Sequence, residues 1–79
     1  LWCAFTNAGQ ACASIDRLFL QKPLDKTLLP KLIEAAQKLR IGDPLDSRTE
    51  IGPLVDSGQL ERVLAILEDA RKKGARLLC

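Results

Sequence analysis

Residues 42–58, GDPLDSRTEIGPLVDSG, hold two prolines and three glycines among turn-forming aspartates and serines. No regular element runs easily through them, because proline lacks a backbone donor and glycine and aspartate favour turns. An irregular run of this length is unusual in a compact domain, and such loops commonly carry function. It divides the chain into two halves of similar design. Upstream, Leu24, Leu28, Leu32, Ile33, Ala36 and Leu39 fall on one helical face and predict a helix over 24–41, stopped by Gly42. Pro30 lies off that face, so the helix either kinks there or properly begins there. Downstream, Leu60, Val63, Leu64, Leu67 and Ala70 predict the buried stripe of a second helix, starting at Asp56 or Ser57 and ending near Lys73, before Gly74.

Short runs rich in branched and aromatic residues flank these helices. IDRLFL (15–20) and ARLLC (75–79) read as strands. Leu1 to Phe5 suits the tail of a helix or strand, and Asn7 to Gln10 a turn. The order strand, helix, loop, helix, strand implies an α/β fold with a parallel-type sheet and flanking helices. Two strands cannot cover such a sheet. Residues 1–79 are therefore expected to form a single incomplete domain, and the absence of any methionine fits a piece of a longer chain.

Composition narrows the function classes. Twelve basic and ten acidic residues, spread along the chain, leave a net charge of only +2, which speaks against a nucleic-acid partner. The densest basic cluster, Arg71-Lys72-Lys73, suits a solvated helix C-terminus. No apolar run approaches the roughly 20 residues of a membrane span, so no membrane partner is expected. Three cysteines without C-x-x-C spacing, and no histidine at all, form neither a disulfide framework nor a zinc site, and no metal site is expected. That cysteine usage points to a reducing compartment, the cytoplasm or the mitochondrial matrix.

Cys12 stands among small residues in FTNAGQACAS, residues 5–14. Its surroundings leave two readings open: a small core hydrophobe, or a nucleophile assisted from outside the chain. A thiol near its ordinary pKa of about 8.5 is only slightly ionised at neutral pH and needs basic or electropositive help. Asp16 is the nearest carboxylate in sequence, and negative charge beside a thiol opposes its ionisation.

The complete string is more specific. Phe5-x-Asn7-x-Gly9-Gln10-x-Cys12 resembles the nucleophile segment of the aldehyde dehydrogenase superfamily. Gly42-Asp43-Pro44-Leu45-Asp46, then Thr49, Gly52-Pro53 and Gly74-Ala75, resemble further landmarks of that family in the same order. The resemblance runs through all 79 residues and implies part of the catalytic domain of an NAD- or NADP-dependent enzyme. By resemblance, Cys12 adds to an aldehyde, and the resulting thiohemiacetal is oxidised to a thioester that water hydrolyses to a carboxylic acid.

The resemblance also implies roles for other residues. Asn7 and Gln10 hold the loop by hydrogen bonds, and the Cys12 N–H donates to the oxyanion. Trp2, Thr6, Ala11 and Ala13 line the substrate tunnel. Gln59 and Arg62, three apart on one helix face, match a glutamine and a basic residue that contact the nicotinamide ribose. At the second of these positions the family usually carries lysine; arginine keeps the charge with a different donor geometry. Simpler readings stand beside these: Asp56 and Gln59 fit a capping box, and Arg62 fits a solvated surface charge. The Gly42–Asp46 turn reads as structural.

The family's general base, a glutamate, lies upstream of the cysteine, with an oxyanion asparagine and a glycine-containing cofactor loop further upstream. A second, ribose-gripping glutamate lies downstream. None falls within residues 1–79, and a parent enzyme built as a homodimer or homotetramer is implied. Three rivals remain: an acylating or phosphorylating relative, a non-catalytic relative with a structural or binding role, and a thiol redox sensor. The last lacks a resolving cysteine at any evident spacing.

Overall fold

Two helices of equal length carry most of the regular structure in the computed structural model, which describes residues 1–79. A single helical turn, α1 (Trp2–Phe5), leads into a 3₁₀ turn over Thr6–Gly9; α2 spans Lys22–Gln37 and α3 spans Ser57–Lys72. α2 starts two residues before Leu24 because Pro23 occupies its first turn, where a missing N–H leaves no bond unmade, and Asp25 sits there against the positive end of the helix dipole. The helix neither begins at Pro30 nor stops there; that proline lies inside it. Nor does it reach Ile41. Its last turn closes with the Leu39 N–H on the Ala36 carbonyl at 3.2 Å, and Gly42 is not its cap.

α3 matches its sequence signals closely. Asp56 caps its start by accepting the Gln59 N–H at 2.7 Å. Its end is a Schellman motif: Ala75 N–H bonds the Ala70 carbonyl (2.9 Å) and Gly74 N–H the Arg71 carbonyl (3.0 Å). That motif needs a left-handed residue, and Gly74 supplies it with φ +90°. The basic cluster at this end is paired along the helix, Lys72 with Glu68 and Lys73 with Asp69.

The expected strands are corrected. Neither residues 15–20 nor 75–79 form a ladder, and the one β-contact is an isolated parallel bridge between Ile41 and Ile51. A strand exists only through hydrogen bonds to a neighbour. The backbone groups of residues 16–19 and 76–79 have none within the chain. The sheet of the α/β reading is therefore not formed by these residues.

The expected buried stripe on α3 is corrected for a related reason. None of the 79 residues is buried, and Leu60, Leu64 and Leu67 are 47%, 55% and 45% exposed. α2 and α3 do not pack on each other. The accessible surface is 7027 Å², whereas a folded protein of this mass exposes about 4,700 Å². The radius of gyration is 14.1 Å, against about 11.6 Å for a compact chain of this length. Helix propensity holds both helices locally, aided at α3 by the Asp56 cap and the Gly74 turn; Leu32, Ile33 and Ala36 of α2, and Leu39 just past it, are half-buried, and no apolar residue of either helix is fully covered.

The long loop is better tied than its composition suggests. The Arg40 carbonyl accepts the Glu50 N–H (2.8 Å) and Ile51 N–H (3.1 Å), Gly42 N–H returns to the Ile51 carbonyl (3.1 Å), and the Arg40 guanidinium pairs with Glu50 at 3.2 Å. Side chains close the intervening turn. Asp43 accepts the Leu45 N–H at 2.8 Å, while both Asp46 carboxylate oxygens grip the Arg48 side chain and one accepts its N–H. The structural reading of the Gly42–Asp46 turn is thus what its hydrogen bonds show. A Cβ on Gly42 would lie 3.0 Å from the Thr49 hydroxyl, so a larger residue there would require the Thr49 side chain to shift.

Two outcomes follow from this architecture. The 79-residue chain on its own is expected to melt without a cooperative transition by far-UV circular dichroism; a sigmoidal unfolding curve would contradict the absence of a core. The Arg48 side chain, then its backbone N–H, holds the Asp46 carboxyl below its ordinary pKa. A depressed carboxyl stabilises its turn above the ordinary carboxylate range and loses that effect as pH falls through the lowered value. Carbon-13 NMR titration should find the Asp46 carboxyl below its ordinary pKa, and Arg48→Ala, which removes the side-chain contact but keeps the backbone N–H, should raise it part of the way back.

Candidate active site

α1 is closed by Ala4 and Phe5 N–H groups on the Leu1 carbonyl and by the Thr6 hydroxyl donating to the Trp2 carbonyl at 2.8 Å. The backbone then turns left-handed for three consecutive residues: Asn7 (φ 53°), Ala8 (φ 56°) and Gly9 (φ 76°). Glycine adopts this at little cost and asparagine tolerates it, but Ala8 is strained by about 1–2 kcal/mol. Sequence motifs point to Gly9 as the bend; the structure spreads the bend over its two predecessors as well.

Strain of this kind persists only where surrounding bonds over-determine it. Asn7 Nδ2 donates to the Gln10 carbonyl at 3.1 Å, while Gln10 N–H and Nε2 both donate to the Asn7 carbonyl, at 3.1 and 3.0 Å. Gln10 also reaches across the chain. Its Nε2 donates to the Pro53 carbonyl (3.4 Å) and its Oε1 accepts the Val55 N–H (2.8 Å). One side-chain amide thereby ties the turn before Cys12 to the segment entering α3. The loop-holding role read for Asn7 and Gln10 is visible in these bonds.

Cys12 follows in a second turn, closed by Ser14 N–H on the Ala11 carbonyl (3.0 Å) and returned to α1 by Ile15 N–H on the Cys3 carbonyl (3.2 Å). Cys12 is exposed, as are Cys3 and Cys79. Neither its Sγ nor its N–H has a hydrogen-bond partner in the chain. Ala11 and Ala13 on either side are exposed and add no bulk.

Three of the other residues singled out by sequence, Gln59, Trp2 and Thr6, line two clefts. Gln59 lines one with Asn7, Gln10, Pro53, Leu54 and Val55, beside the turn before Cys12. Its backbone N–H is capped by Asp56, but its side chain does not complete a capping box and makes no hydrogen bond. Trp2 and Thr6 line the second cleft, with Phe5, Leu39 and Glu50 among its walls. Arg62 is exposed, unpaired and outside both, and Ala11 and Ala13 line neither. Pro53 and Val55 were not singled out as anchors; the Gly52-Pro53 landmark was the signal that marked them.

The profile of the aldehyde dehydrogenase family matches residues 1–79. The chain belongs to the aldehyde dehydrogenase family. It is 48% identical over 75 residues to a betaine aldehyde dehydrogenase of Cereibacter sphaeroides, covering 95% of this chain and 16% of that protein. It is 41% identical over 75 residues to one of Brucella anthropi, covering 95% and 15%. The solved structure of HpcC from Thermus thermophilus superposes with a TM-score of 0.89 and 35% identity, covering 98% of this chain and 16% of that one. The chain thus spans about a sixth of the length of these relatives. The aldehyde dehydrogenase arrangement of residues 1–79 is kept without a core of its own.

Removing the Gln10 tie tests this geometry. In a full-length aldehyde dehydrogenase carrying these residues, Gln10→Ala severs two long-range bonds, each worth about 1 kcal/mol. Denaturant unfolding should show a loss of roughly 1–3 kcal/mol. Ala8→Gly should be neutral or stabilise by up to about 1 kcal/mol, since it relieves the left-handed strain at φ 56°.

Proposed function

We propose that these residues carry the nucleophile of a longer NAD- or NADP-dependent enzyme that oxidises an aldehyde to a carboxylic acid. The observation that carries this reading is Cys12 itself: an exposed thiol with an unpartnered Sγ and N–H, in a turn held by Gln10. The Cys12 thiolate adds to the aldehyde carbon, forming a C–S bond and moving the carbonyl π electrons onto oxygen. The free Cys12 N–H is suited to donate to that oxyanion, a preorganised contact that strengthens as charge develops. Ala11 and Ala13 leave room on both sides of the tetrahedral centre.

A nicotinamide dinucleotide fits the residues present, since Gln59 brings an unbonded amide into the cleft beside the nucleophile turn and Arg62 lies one turn further along α3. Those two residues would hold its ribose. When bound, the dinucleotide supplies the acceptor for the aldehyde hydrogen, leaving a thioester on Cys12. Water then attacks the thioester carbon, activated by a base expected from the rest of the enzyme, and the C–S bond breaks to return the thiolate. Trp2 and Thr6 line a cleft suited to the substrate side chain. A dimer or tetramer of the longer chain, in a reducing compartment, completes the reading.

The decisive experiment uses the full-length protein with betaine aldehyde, the substrate for which its relatives are named, and a panel of simple aldehydes. Cys12→Ala should abolish aldehyde-dependent NADH or NADPH formation without changing the melting temperature. Iodoacetamide should label Cys12 well ahead of Cys3 and Cys79. A Cys12 no more reactive than Cys3, with activity retained in Cys12→Ala, would overturn the reading. The 79-residue chain alone should produce no reduced cofactor.

A further inference from the structure

Residues 1–15 make only two hydrogen bonds that leave the segment, and both run through the Gln10 side chain. The other bonds around Cys12 are local: the Ser14 N–H on the Ala11 carbonyl, the Ile15 N–H on the Cys3 carbonyl, and the Gln10 N–H on the Asn7 carbonyl. Local bonds fix the shape of the turn but not its placement against the rest of the chain. That placement decides how the unpartnered Cys12 N–H is aimed relative to the cleft lined by Gln59, Pro53 and Val55.

The turn also has a reason to move. Asn7 and Ala8 hold left-handed backbone, and the Ala8 methyl can make no hydrogen bond in its favour. Such a conformation persists only while neighbouring contacts over-determine it. The Gln10 amide supplies those contacts at both ends. Its Nε2 donates to the Asn7 carbonyl inside the turn (3.0 Å) and to the Pro53 carbonyl outside it (3.4 Å), while its Oε1 accepts the Val55 N–H at 2.8 Å. Without these bonds, Ala8 relaxes toward negative φ and carries the residues up to Cys12 with it.

We propose that Gln10 is a positioning residue for the reaction at Cys12: by clamping the strained turn to the entrance of α3, it aims the Cys12 N–H at the oxygen that gains charge when the thiolate adds to an aldehyde. This rests on the reading of Cys12 as the nucleophile. The role exceeds loop-holding, because it separates two reactions of one thiol. Alkylation by iodoacetamide forms a C–S bond and expels iodide, so it builds no oxyanion and needs only the thiolate. Addition to an aldehyde moves the carbonyl π electrons onto oxygen and needs the aimed N–H as well. A displacement of about 1 Å in such a contact can lower the rate roughly 100-fold. Gln10 therefore governs turnover and leaves alkylation unchanged.

The test uses the full-length enzyme with Gln10→Met, which keeps the side chain's length and removes its hydrogen bonds. A second change, Ala8→Gly, lets the left-handed turn persist without strain. Single-turnover formation of NADH or NADPH, normalised to the folded fraction seen by circular dichroism, should fall about 10- to 100-fold in Gln10→Met. The rate of Cys12 alkylation by iodoacetamide, followed across pH, should change by less than about twofold, since it reports the thiolate alone. Adding Ala8→Gly to Gln10→Met should recover about threefold or more of the lost turnover, and Ala8→Gly alone should react as the unsubstituted enzyme does. Should Gln10→Met fail to fold, Gln10→Glu takes its place. It keeps an acceptor for the Val55 N–H and loses the donors, and it is compared at a pH where the alkylation profile has levelled off and its added charge no longer limits the thiolate. Full turnover in the Gln10 variant, alkylation that falls in step with turnover, or no recovery with Ala8→Gly would overturn the inference. With Cys12→Ala inactive, those results leave the enzyme reading standing; an active Cys12→Ala overturns both.

Discussion

The side-chain amide of Gln10 is the interaction on which the rest of the site depends. It donates to the Pro53 carbonyl and accepts the Val55 N–H, two bonds spanning more than forty residues of chain. No other hydrogen bond joins the turn before Cys12 to the entrance of α3. With that amide in place, three left-handed residues are held in register, Cys12 is presented on a defined turn, and Gln59 arrives beside the turn before it. An amide suits this task because it donates and accepts at once.

The same geometry explains why the long loop has its particular composition. Arg40, Gly42, Glu50 and Ile51 fold it back on itself through a short bridge, and Asp43 and Asp46 satisfy the turn between. Prolines and glycines there shape a path rather than leave the chain slack. The path delivers Pro53 and Val55 to Gln10. A loop held by polar contacts in this way needs no core beneath it, which suits a chain with no buried residue.

Much of this was legible from particular residues. Asp56 and Gly74 marked the two ends of α3, since capping is a local interaction between a side chain or a left-handed residue and adjacent backbone. The F-x-N-x-G-Q-x-C string identified Cys12 and its family. Other features were hidden because they depend on distance. Gly42 looked like a helix stop, and became a crossing point against Ile51 and Thr49. The 3.6-residue stripe on α3 was real as periodicity, but periodicity states only that one face is apolar, not that anything covers it. The strand composition of residues 15–20 and 75–79 likewise could not reveal that neither segment pairs with the other.

By itself, the sequence determined the two long helices, the capping of α3, the F-x-N-x-G-Q-x-C motif and membership of the aldehyde dehydrogenase family. These are local or pattern properties, set by residues within a few positions of one another. Only the tertiary structure decided that Gln10 joins the turn before Cys12 to Pro53 and Val55, and that Gln59 lies beside that turn while Arg62 does not. It alone decided that no apolar face is fully buried and that the strand-like edges remain unpaired. Each of these depends on which distant groups meet, and a hydrogen bond or a buried face exists only once its partner is in place.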